Sequence, residues 1–181
     1  MENEKKFSVA HTIAVLARTP AILNALLRGL PETWVSSNEG GQTWNAFDIL
    51  HHLILGEQTD WMARLQIILE YGERRPFDPF DRLPESVRNG GESMEQLLDD
   101  FARLRGENLI ALAALSLQPD DLARKGVHPA FGVVTLAQLL ATWMVHDMTH
   151  LHQVSRVMAY QYREAVGPWS AYLGVLKAAG G

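Results

Sequence analysis

Two histidines in "TWMVHDMTHLHQ", His146 and His150, lie four residues apart inside a long apolar-periodic segment. On an α-helix that spacing puts both imidazoles on one face. Two imidazoles so placed can reach one ion, and a third from a facing helix would complete the set. "DILHHLILGEQTDW" offers that third, from His51 or His52. Neighbours on a helix point about 100° apart, so only one of the two faces inward, and the periodicity does not say which. Three neutral nitrogen ligands leave positions open for water or substrate, as catalytic rather than structural metal sites do. Taken bare, an i, i+4 pair is a weak signal that fits two histidines satisfied by backbone carbonyls or carboxylates better than a metal site.

The other polar residues near these positions have weaker claims. His152 lies about 200° around the helix from His150 and points away from the pair, to the surface. His11 has no spacing partner. His128, in the loop "GVHPAFG", is an outside candidate for an active site. Asp48 precedes His52 by one helical turn and could orient its imidazole through the second ring nitrogen. Glu57, Asp60 and Arg64 have the spacing of a surface ion-pair ladder, worth about 0.2–0.5 kcal/mol per pair; the functional alternative makes Glu57 a general base above the metal or a supporting partner of a ligand. Asp147 splays away from His146 and suits a charge partner on a neighbouring helix. There is no G-x-G-x-x-G after a strand, no P-loop, no G-x-S-x-G and no H-E-x-x-H. Trp44, Trp61, Trp143 and Trp169 read as core and interface residues, because no basic residues are interleaved with them.

The elements that must position these groups are helical, and strand signals are nearly absent. A first segment runs from about Phe7 to Leu30 and is interrupted at Pro20, with Thr19 as N-cap of the second part. A second runs from an N-cap at Thr43 to Tyr71, with Gly72 as its stop. "ERRPFDPFDRLPESVRNGG" is a long loop of the kind that forms a lid or wall. Ser93 and Gln96 open a third helix, to about Leu117, with a capping box. "QPDDLARKGVHPAFGVV" is a connection with one helical turn after Pro119. Thr135 and Gln138 open the fourth helix, to about Val166, with a second capping box, and Gly167-Pro168 ends it. "WSAYLGVLKAA" reads as a short terminal helix. The expected fold class is all-α, a four-helix bundle.

The 181 residues fit one domain, and 47% hydrophobic content supplies a sizeable core. A net charge of -5 without a Lys/Arg stripe argues against a nucleic-acid partner. The chain has no cysteine, which excludes disulfides, thiolate ligands, iron–sulfur clusters and a cysteine nucleophile. That fits the cytoplasm, and the N-terminus lacks the long apolar core of a signal sequence. No stretch approaches 18 uninterrupted apolar residues, so no membrane span is expected.

Several stretches, in order, carry a resemblance: "LARTPAILNALLRGLP", "TWNAFDILHHLILGEQTDWMAR", "GVHPAFGVVTLAQLLATWMVHDMTHLHQVSRVMAYQYREAVGPW" and "AYLGVL". With a histidine followed by Leu on the second helix and H-D-x-x-H-x-x-Q on the last long one, the chain resembles the DinB-like (DinB/YfiT-like) superfamily of metal-dependent proteins. The resemblance implies an up-up-down-down four-helix bundle that forms a homodimer and holds a metal through three histidines. The helix-two ligand then matches His52, which precedes Leu53, while His51 falls at a variable position. The other ligands match His146 and His150. Gln153 matches the family's glutamine, to which the resemblance assigns no role beyond packing. Nickel, zinc, iron and manganese are all implied, and three imidazoles do not choose among them. Some relatives look like transferases or isomerases that use a low-molecular-weight thiol such as bacillithiol or mycothiol; others look like hydrolases or DNA-damage-inducible proteins. The resemblance therefore implies a metal-dependent enzyme acting on a small molecule, with thiol transfer slightly preferred over hydrolysis. The alternatives are a non-catalytic metal-binding stress-response module and a helical dimer whose histidines bind nothing.

Overall fold

A computed structural model describes residues 7–83 and 91–177. Helix α1 spans Val9–Leu16, with the Ser8 hydroxyl accepting from the His11 N–H as its cap. Helix α2 spans Thr19–Leu27, with Pro20 in its first turn, where no helical donor is needed. Thr19 is not the cap expected of it. Arg18 holds that position without a side-chain bond, and the Thr19 hydroxyl donates instead to Asp147 at 2.5 Å. A short helix α3 spans Glu32–Val35.

The expected second helix is two. Helix α4 spans Ala46–Thr59 and α5 spans Trp61–Glu70, with a break at Asp60. The start is also later than Thr43. Asn45 is the N-cap, in a reciprocal capping box with Asp48, while the Thr43 hydroxyl closes the preceding loop by accepting from the Glu39 N–H and donating to the Gly40 carbonyl. The turn at Asp60 lays Trp61 against Gly56, where an added Cβ would stand 3.1 Å from the indole nitrogen. Gly72, at φ +59, ends this unit as expected.

Helix α6, Met94–Ala114, opens with the Ser93/Gln96 capping box and stops three residues short of Leu117. Helix α7 is the single turn Pro119–Leu122. The chain beyond it is a hairpin rather than an unstructured connection: β1, Lys125–His128, pairs antiparallel with β2, Gly132–Thr135. The β-branched Val127, Val133, Val134 and Thr135, with Gly132 at φ +72, favour this hairpin locally. Packing completes it, because Gly126 lets the strand lie directly on Ile68 and Phe77. The hairpin ends in Thr135, the N-cap of α8, Leu136–Tyr160, and the expected capping box with Gln138 is present. Helix α8 ends before Val166, and the terminal segment forms 3-10 turns at Gly167–Tyr172 and Gly174–Leu176 instead of a regular helix.

The units α1/α2, α4/α5, α6 and α8 form the four-helix bundle. Helix α4 packs along α6, and α8 packs against α1, α4 and α5. The stretch Val9–Leu27 is 19 residues long with a mean hydropathy of 1.3, sufficient by length and composition for a membrane span. In the fold it is interrupted between α1 and α2 and buries one stripe, including Leu16, Leu23 and Leu27, in the bundle. A one-sided core helix passes the same length and composition test.

The core divides in two. Leu23, Leu53, Phe101 and Val154 belong to one apolar cluster, and Leu16, Trp61, Leu109 and Trp143 to the other. Between them lies a polar layer with one residue from each helical unit: Thr19, Glu57, Arg105 and Asp147, all buried. Arg105 donates to both oxygens of Asp147 (2.5 and 3.0 Å), to Glu57 at 2.8 Å and to the Leu16 carbonyl at 3.0 Å. Buried charges persist only when paired and hydrogen-bonded in this way.

Candidate metal centre

Helix α4 carries His52 and α8 carries His146 and His150, and the three imidazoles meet where these two helices face each other. The Nε2 atoms of His52 and His146 stand 2.9 Å apart, and those of His150 and His146 stand 3.1 Å apart. All three residues can offer a ligand atom within 4.8 Å of the others. His51, although buried, is not part of the group. His152 is exposed, as its helical phase requires.

The outer nitrogens define the tautomers. His52 Nδ1 lies 2.7 Å from the Arg82 carbonyl, which can only accept, so Nδ1 carries the proton. His150 Nδ1 lies 2.9 Å from Gln153 Oε1 and donates to it in the same way. Both Nε2 atoms are then bare lone pairs aimed at His146 Nε2. That atom has at most one proton to share, so at least one of the two contacts sets lone pair against lone pair. His146 Nδ1, meanwhile, is buried without a hydrogen-bond partner. A cation between the three Nε2 atoms resolves the conflict. Nitrogens about 2.0–2.1 Å from one ion stand about 3–3.4 Å apart in common geometries, which matches the observed spacing.

Electrostatics favours neutral rings. Burial pushes His52 down to about 4 and His146 down to about 3, and it lowers His150 as well. The Arg82 guanidinium lowers all three further, and Arg105 also lowers His146. The neutral imidazole is the metal-ligating form. Aromatic rings surround the cluster: Trp44 stacks on His150 at 6.1 Å and tilts against His52 at 4.9 Å, Phe80 lies 5.6 Å from His52, and Trp61 meets His146 edge-on at 5.1 Å.

Several expectations are redirected. The Arg82 carbonyl, not Asp48, takes the second ring nitrogen of His52, because the Asp48 carboxylate faces the N-terminus of its own helix in the capping box. The expected surface ladder is absent: Asp60 and Arg64 do pair, at 2.5 Å, but largely buried rather than on the helix surface, and Glu57 does not join them. Its carboxylate is buried and accepts from Arg105, from Trp143 Nε1 at 3.1 Å and from Asn108 at 3.0 Å, none of them a histidine of the cluster. Asp147 has the neighbouring-helix partner expected of it, Arg105.

Beside the histidines lies a cavity of about 250 Å³, lined by His52 and His146 and by Asp60, Trp61, Arg64, Phe77, Phe80, Arg82, His128, Phe131 and Leu139 among others. Part of the long loop after α5 is thus a wall, as its length suggested; its residues 84–90 lie outside the described residues. The Phe77 N–H ties that wall to the hairpin through the Val127 carbonyl at 2.9 Å. Sequence reasoning passed over Arg82, Phe77, Phe80 and Phe131. The only signal for them was the length and aromatic content of two connections.

Facing helices that converge three imidazoles on one point, with an open cavity alongside, define a class of helical-bundle proteins built around a histidine cluster. Residues 16–154 match the model of the DinB superfamily, and the chain belongs to that family. No curated protein matches the chain. Among solved structures, YfiT from Bacillus subtilis, described as a probable metal-dependent hydrolase with an unusual four-helix bundle topology, superposes with a TM-score of 0.74 at 18% identity, covering 89% of this chain and 91% of that one. TT2238, described as a four-helix bundle protein, superposes with a TM-score of 0.53 at 21% identity, covering 80% of this chain and 95% of that one. These likenesses establish the shared fold.

Proposed function

We propose that His52, His146 and His150 hold one divalent ion through Nε2 and that the chain is a metal-dependent hydrolase of small molecules. The observation that carries this reading is the convergence of three neutral rings, two of them with Nδ1 already engaged, on a point that no proton arrangement satisfies. A divalent ion there supplies Lewis acidity that lowers the pKa of a coordinated water or thiol toward neutrality.

The chain's own residues prepare the site. The Arg82 carbonyl and Gln153 fix the ring orientations of His52 and His150. Trp44 covers His52 and His150, while Trp61 and Phe80 line the cavity beside His52 and His146, which is the side for substrate. Glu57 acts in this reading as a positioning residue, through Arg105 and the helix that carries the histidine pair. The description of the Bacillus subtilis fold neighbour as a probable metal-dependent hydrolase supports water as nucleophile. One observation favours an external low-molecular-weight thiol as the second reading: the chain has no cysteine to act as its own sulfur nucleophile.

Elemental analysis of untagged protein, wild type beside His150→Ala, tests the site. About one ion per chain in wild type and little in the variant is expected. No metal in the wild type, even after incubation with nickel and zinc, would overturn the proposal. Bacillithiol and mycothiol added to cobalt-loaded protein separate the two nucleophiles, since only direct thiol ligation adds thiolate charge-transfer absorption.

A further inference from the structure

The cavity beside the three imidazoles has a chemistry of its own. Its volume, about 250 Å³, equals roughly eight waters at liquid density, enough to enclose a small molecule and too little for a peptide or nucleotide chain. Trp61, Phe77 and Leu139, members of one apolar cluster, give it an apolar lining. Phe131, at the hairpin tip, lines the same cavity with 79% of its surface exposed. His128 braces that tip: its Nδ1 accepts from the Ala130 and Phe131 N–H groups, at 3.1 and 3.2 Å.

Two arginines line this apolar space. Arg64 is neutralised by Asp60 at 2.5 Å. Arg82 has no carboxylate partner among the described residues, and its charge bears on all three imidazoles. A fixed cation facing a site for a second cation is unfavourable by Coulomb's law at any effective dielectric. The arrangement becomes favourable once an anion lies between them. Arg is suited to that task, because its planar fork matches a carboxylate.

We propose that this cavity binds a small organic anion, a carboxylate on a planar apolar body. The carboxylate lies between Arg82 and the three-histidine face, and the body lies against Trp61, Phe77, Leu139 and Phe131. The inference rests on the metal reading of the histidines for the second cation and adds the substrate class.

Isothermal titration of phenylacetate into untagged, zinc-incubated protein tests it, with acetate and the neutral isostere 2-phenylacetamide as comparison ligands and zinc measured in the same samples. Phenylacetate is expected to bind about tenfold more tightly than either comparison ligand and to weaken about tenfold in Arg82→Gln, as for a lost charge-assisted hydrogen bond. Phe131→Ala should weaken it a few-fold. Both side chains are exposed, and the Arg82 carbonyl survives the substitution, so both variants should keep the wild-type melting temperature and zinc content. The proposal is overturned if phenylacetate does not bind, if 2-phenylacetamide binds as well, or if Arg82→Gln changes nothing. Equal binding of acetate also overturns it, because that marks simple coordination to the metal. A wild type that takes up no zinc fails the metal reading alone; the same comparisons on the zinc-free chain still decide the anion site.

Discussion

Arg105 grips Asp147 through both carboxylate oxygens, at 2.5 and 3.0 Å, and Asp147 is the residue directly after His146 on the same helix. The pair ties α6 to α8 in the layer between the two apolar clusters, and Glu57 and Thr19 extend the tie to α4 and α2. The rotation of α8 about its axis, and so the aim of the histidine pair, is fixed by a buried ionic contact rather than by apolar packing alone.

Removing Arg105 leaves two buried carboxylates uncompensated. Arg105→Met should destabilise the fold by about 3–5 kcal/mol, read as a shift in the urea midpoint at neutral pH. Glu57→Gln, which keeps the shape and one acceptor, should lose less. A Glu57→Gln variant that is as stable as wild type yet has lost a pH-dependent limb of its activity would point back to a general-base role.

Gln153 is the acceptor that fixes His150. Gln153→Ala should weaken metal affinity about 10–100-fold while the melting temperature of metal-free protein stays close to wild type. Competition with a chelator of known affinity reads the first quantity and calorimetry the second. An unchanged affinity would reduce Gln153 to a packing residue.

Acid should destabilise the metal-free protein earlier than its carboxylates alone would require. Burial holds His52 at about 4 and His146 at about 3, whereas an unfolded histidine titrates near about 6.5. Above that value neither state is protonated and the contribution is constant. Below it the unfolded chain binds protons that the folded chain refuses, so stability falls as pH drops from about 6.5 toward 4. Urea midpoints taken between about pH 7.5 and 4.5 should show this loss, and His146→Gln should show less of it. An identical loss in both proteins would assign the effect elsewhere.

Gly126→Ala probes the hairpin that forms one side of the cavity. Its Cβ would stand 2.7 Å from Ile68 Cγ1 and 2.8 Å from Phe77 Cε1, so the strand or Phe77 must move. A destabilisation of about 1–3 kcal/mol is expected, as for overpacking. A near-neutral change in the urea midpoint would show that the hairpin sits loosely on α5.

The sequence alone determined what is decided within a few residues: the helical period, the capping boxes at Ser93/Gln96 and Thr135/Gln138, the interruption at Pro20, the stop at Gly72 and the shared face of His146 and His150. Each depends on a hydrogen bond or a steric limit local to the chain. Resemblance, not periodicity, favoured His52 over His51, and only the bundle geometry brings His52 to the pair. The acceptor for its outer nitrogen comes from Arg82, 30 residues away, although Asp48 stands one turn before it. Arg105 carries no local mark of its partners, which lie 42 and 48 residues distant. The hairpin, too, draws on Ile68 and Phe77 for its seat. Contacts of this kind form only when packing removes water from several helices at once, and no short window of sequence encodes which faces will meet.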